Sequence, residues 1–80
     1  MDIENKEPEI ELKEDERYEI KLPTDEYRAV VIQERPYRRM LAIYDGDIEF
    51  RLNVTDMPKS VRHTEWFVER IISFWRIILI

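Results

Sequence analysis

The stretch Arg35-Pro36-Tyr37-Arg38-Arg39 gathers three guanidinium groups around an aromatic ring. That combination suits phosphate oxygens and a stacked base, so the chemistry it offers is nucleic-acid contact through Arg35, Tyr37, Arg38 and Arg39. The same residues would also make a solubilising loop that balances an acidic surface. Other reactive groups are sparse. His63 is the only histidine, and Ser60 and Ser73 are the only serines. A capping or surface role suits His63 better than proton transfer. Glu49, Glu65 and Glu69 could be arranged as a carboxylate pair, but as long side chains on polar faces they read as solvated surface. A nucleophile elbow or a phosphate-cradling loop needs glycines, and Gly46 is the only one. The expectation is a chain with no catalytic residues and no cofactor.

Composition narrows the classes further. Eighty residues make one small domain that buries about 60–70% of its unfolded surface and gains from partners. The absence of cysteine excludes disulfides and thiolate metal sites. A net charge of −5 opposes attraction of the whole surface to nucleic acid. The acidic start of the chain does not resemble a secretory leader, so a cytoplasmic protein is expected. A charged content of 39% resembles that of heat-adapted proteins. Residues 1–16 carry eight carboxylates against Lys6 and Lys13. They form either a solvated tail or a short extra strand over Glu9–Leu12 that turns at Lys13–Glu16. Their spacing matches no calcium loop, so no metal is expected.

The elements that hold these groups follow from periodicity. Thr64–Ile80 is apolar at helical spacing, with Phe67, Ile71, Phe74 and Ile78 in one row and Val68, Ile72, Trp75 and Leu79 beside it. Trp66, Ile77 and Ile80 lie outside that stripe, so the last two turns are apolar nearly all round. Such a helix calls for a second protein surface. The expected interface is Trp66, Phe67, Ile71, Phe74, Trp75, Ile77, Ile78 and Ile80. Arg70 and Arg76 interrupt the run, and it is too short to span a bilayer. An interfacial membrane helix is the lesser alternative.

Arg17–Leu22 alternates as a half-buried strand and ends at Pro23. Ala29–Ile32 is rich in β-branched residues, which favours a strand. Its boundaries favour a helix over residues 24–35: Pro23-Thr24 as a cap, Asp25 and Glu26 in a first turn, Pro36 as a stop. The boundary chemistry favours the helix, with a strand as the alternative. Arg38–Val54 is a hairpin turning at Asp45-Gly46, which sets Ile43 opposite Ile48, Leu41 opposite Phe50 and Arg39 opposite Leu52. Ser60 or Thr64 caps the last helix. The expected fold is a two-layer α+β domain over residues 17–80. It has a three-stranded antiparallel sheet in strand–helix–strand–strand–helix order, with Ile48–Val54 central and both helices on one face.

A strand ending in Leu22-Pro23-Thr24-Asp25-Glu26, a short helix, a tight hairpin and an Arg-bearing last helix resemble the small dimerisation subunit of the KEOPS complex. That complex makes threonylcarbamoyladenosine on tRNA. Leu52–Asp56, Val61–Thr64 and the run to Ile71 are similar to that family's last strand, connector and final helix. The acidic N-terminal extension departs from the pattern, as a divergent accessory paralogue would. The resemblance implies a non-catalytic subunit that forms a homo- or heterodimer and docks on protein subunits of a tRNA-modification complex, with indirect or weak tRNA contact. By position, Phe67, Ile71, Phe74, Trp75 and Ile78 correspond to the helix that serves core and docking together. Two other functions stand beside it: a self-standing nucleic-acid module using Arg35, Arg38 and Arg39, and an acidic inhibitor that mimics nucleic-acid charge through residues 1–16.

Overall fold

The computed structural model describes residues 8–79, with side chains described as far as Ile77. Four strands, β1 (Arg17–Ile20), β2 (Arg28–Arg35), β3 (Arg38–Asp45) and β4 (Ile48–Asn53), precede one helix, α1 (Val61–Leu79). The α+β class therefore holds, while the finer arrangement differs from expectation. The sheet is a four-stranded antiparallel meander in the order β1-β2-β3-β4. The helix expected over residues 24–35 is replaced by β2, and β4 lies at an edge where a central strand was expected. The structure divides into two compact units, Leu12–Met57 and, among the described residues, 8–11 with 58–79.

In the first unit, β2 and β3 are buried on both faces. Ala29, Val31, Leu41 and Ile43 share one face; Val30, Ile32 and Ala42 share the other, with Tyr44 packed against them. Two-sided burial writes an unbroken apolar run instead of an alternation. That is why Ala29–Ile32 lacks the period of a strand although its β-branched residues form one. The boundary residues that suggest a helix make turns. Thr24 Oγ1 accepts the Glu26 N–H at 3.2 Å, a local turn two residues long. Pro36 and Tyr37 form the two-residue β2–β3 connection, where the ring fixes φ and its missing N–H costs nothing. A register shift between Gln33 and Arg35 leaves Glu34 as the extra residue of a bulge.

The β3–β4 hairpin pairs Asp45 with Ile48, Ile43 with Phe50 and Leu41 with Leu52. The loop is Gly46-Asp47, not Asp45-Gly46. Gly46 has φ +61° and Asp47 is not left-handed, so positive φ falls on the first loop residue alone, as in a type II′ turn. The register moves by two residues, an even number, so every side chain keeps its expected face. Ahead of β1, the turn at residues 13–16 is present: Glu16 N–H donates to the Lys13 carbonyl at 3.0 Å. Asp15, at φ +71°, donates its N–H to the Gln33 carbonyl at 2.6 Å.

In the second unit, Ser60 caps α1. Its Oγ accepts the His63 N–H at 3.0 Å, and the Pro8 carbonyl takes the Val61 N–H at 2.9 Å. Two of the helix's orphan donors are thereby satisfied. Thr64 lies inside the first turn and is buried. Its Oγ1 donates to the Ser60 carbonyl at 2.9 Å, which meets its own polar demand. The expected strand over residues 9–12 reduces to one bridge, Glu9 with Ser60, beside which Ile10 N–H donates to the Lys59 carbonyl at 2.7 Å.

Candidate interaction surfaces

The helix buries one row and exposes another. Thr64, Val68 and Ile72 are buried, and Phe67, Ile71 and Trp75 are half-buried. On the opposite side Trp66 (53% exposed), Arg70, Ser73 and Ile77 (74%) fall in line, flanked by Phe74 (64%) and Glu69. These six residues line a shallow groove of about 440 Å³. The exposed positions expected for Trp66 and Ile77 hold. Phe74, expected both in the apolar row and in the interface, is exposed. The burial stripe runs along Thr64, Val68 and Ile72; Val68 and Ile72 belong to the expected apolar stripe, whereas Thr64 is expected only as a cap. The Ile78 side chain and Ile80 lie outside the described residues.

The outer row has local order of its own. The Arg70 guanidinium lies 5.0 Å from the Trp66 ring centroid, one helical turn away, and the His63 ring sits 5.7 Å from Trp66 at 53°. Three large side chains are thus presented on a rigid backbone, with a cation stacked on one. His63 is half-buried and takes part in this aromatic edge.

The basic cluster does not come together as expected. Arg35, Tyr37 and Arg38 are exposed at the tip of the β2–β3 hairpin, but Arg39 is turned to the sheet face that carries Leu41 and is buried. Strand alternation separates Arg38 from Arg39, which a loop reading of 35–39 cannot anticipate. Arg39 Nε donates to Gln33 Oε1 at 2.8 Å, and burial pushes its guanidinium below the ordinary arginine value. Arg38 pairs with Glu34 at 3.3 Å. Of the four expected contact residues, Arg35, Tyr37 and Arg38 stay exposed and Arg39 does not.

The other sheet face carries a network of charged side chains. Arg28 bonds Glu19 through Nε at 2.9 Å, and Arg51 bridges Glu49 at 2.7 Å and Glu34 at 3.2 Å. Hydrogen bonding by Arg28, together with its charge, holds the Glu19 carboxyl below the usual range. Arg28 also lies 5.9 Å from the Tyr44 ring centroid. With Arg17, Glu19 and Val30 these residues line a cleft of about 200 Å³. The signal was available: in a strand, Arg28, Val30, Ile32 and Glu34 share one face. Among the described residues no group of three or more metal-ligating side chains converges, and no helix is long and apolar enough to cross a membrane.

Compared with models of known protein families, with curated proteins and with solved structures, the chain matches none.

Proposed function

We propose that this chain is a non-catalytic subunit that docks on a partner protein through the outer row of α1. The observation that carries this reading is the joint exposure of Trp66, Phe74 and Ile77 around Arg70. Each such side chain left in water forgoes about 1.5–3 kcal/mol of burial. Aromatic and arginine side chains on a rigid helix are the usual anchors of protein interfaces. The more specific form, an accessory subunit of a cytoplasmic KEOPS-type tRNA-modifying complex, is supported by the similarity of Leu52–Asp56 and Val61–Ile71 to that family. The strand–helix order cited for the same similarity is not the order of this fold.

The test is affinity purification from the native source with wild type and a Trp66→Asp/Ile77→Asp double variant. The expected result is co-purification of a kinase-like and an ATPase-like subunit by the wild type, lost in a double variant whose circular dichroism is unchanged. Equal recovery by both proteins overturns the docking surface. Recovery of a different partner set, lost in the variant, overturns the tRNA-modification form and leaves the docking surface standing.

A further inference from the structure

Strand β4 pairs with β3 on one side, and among the described residues nothing pairs with its other side. The hydrogen bond from Val54 N–H to the Arg39 carbonyl, 2.9 Å, fixes the phase of the ladder. Residues 48, 50 and 52 bond inward to β3, so the peptide groups of Glu49, Arg51 and Asn53 face outward. Ile48 (56% exposed) and Phe50 (36%) stand on this edge, on the face that also carries Leu52. Natural edges are commonly blunted by a bulge, a proline or extreme shortness. Edge strand β1 is only four residues long; β4 has six and neither bulge nor proline.

We propose that β4 is the dimer interface for a second copy of this chain, joined edge to edge and antiparallel into one continuous eight-stranded sheet. Charge complementarity selects a single register. Outward peptide groups must meet outward peptide groups, so only alignments that set odd-numbered residues opposite odd-numbered ones can form the ladder. With Phe50 on the two-fold axis, Glu49 opposes Arg51 of the second copy, and Arg51 opposes its Glu49. Ile48 then opposes Leu52, and the two Phe50 rings meet as a close, non-hydrogen-bonded pair. Sliding one way sets Glu49 against Glu49; sliding the other sets Arg51 against Arg51. Both neighbouring registers place like charges directly opposite, which is unfavourable. This proposal does not rest on the docking role of α1.

The test uses the full chain in light scattering and sedimentation over a range of concentrations. The wild type is expected to sediment as two chains at high concentration. Glu49→Arg alone and Arg51→Glu alone should each weaken self-association at least about tenfold. An equimolar mixture of those two variants should recover dimers containing one of each, because both cross-strand contacts again join opposite charges. The Trp66→Asp/Ile77→Asp protein should dimerise as the wild type does. A wild type that stays monomeric throughout overturns the proposal, and so do single variants that dimerise normally or a mixture that does not recover. Dimerisation lost only in the α1 variant places the interface on α1 and overturns it as well.

Discussion

Gln33 and Arg39 face one another across the β2–β3 ladder, and Arg39 Nε donates to Gln33 Oε1 at 2.8 Å with both residues buried. The Gln33 amide also donates to the Arg35 carbonyl at 2.6 Å. One side chain therefore accepts from a buried cation and braces the tight turn beyond it. Gln33→Leu leaves the guanidinium without that acceptor and should cost about 2–4 kcal/mol. Adding Arg39→Met removes the stranded donor, so the double variant should lose less than the sum of the singles. Urea unfolding of the four proteins closes the cycle. Strict additivity would mean that the pair has no coupling.

On the other face, acid should weaken the fold through Glu19. Its carboxyl is held below the ordinary value by the Arg28 hydrogen bond, so the pair's contribution is complete above the unfolded glutamate range. It is lost as pH falls through the depressed folded value. A carboxyl-carbon NMR titration should place the Glu19 midpoint lower than that of an unpaired glutamate. Arg28→Gln should return it to the ordinary range. An unmoved midpoint would remove Arg28 as the cause.

The sequence yields its faces more readily than its elements. Leu41, Ile43, Phe50 and Leu52 share a face as the alternation requires, and an error of two residues in register cannot change that. Residues 24–35 fail because proline, threonine and carboxylates mark a turn as well as they mark a helix start, and a strand buried on both faces shows no period. The exposed row of α1 is half legible. Trp66 and Ile77 stand off the apolar stripe by angle alone, whereas Phe74 lies on its margin and only the folded chain decides its side. Hairpin pairing sets Arg39 on the apolar face, whereas the run 35–39 groups it with a surface cluster. Those two expectations conflict, and the strand's pleat decides between them.

Two left-handed residues give opposite expectations. Gly46 has φ +61° with nothing within 4 Å of the place a Cβ would occupy, so Gly46→Ala loses by backbone conformation alone, about 1 kcal/mol. Asp15 already bears a side chain at φ +71°. Asp15→Gly should be neutral or stabilising by less than about 1 kcal/mol, and Asp15→Val should cost about 1–2 kcal/mol. Thermal unfolding of the three variants tests this directly. A larger loss from Asp15→Gly than from Asp15→Val would show that the Asp15 side chain, not its φ, holds the turn.

The acidic N-terminal stretch contains a structural anchor. Ile10 is buried, its N–H donates to the Lys59 carbonyl at 2.7 Å, and the Pro8 carbonyl caps the first N–H of α1. A residue expected in a solvated tail or a short extra strand thus ties the chain to the start of the helix. Ile10→Ala should cost about 2–4 kcal/mol, the usual loss for truncating a buried isoleucine. Glu9→Ala, exposed, should cost within about 0.5 kcal/mol, and Ser60→Ala about 1 kcal/mol through the lost cap. Hydrogen exchange locates the effect. In Ile10→Ala the Val61 and His63 amides should exchange faster, whereas the β2–β3 amides should change only as far as global stability falls. Equal stability of the Ile10→Ala and Glu9→Ala proteins would return the segment to the status of a tail.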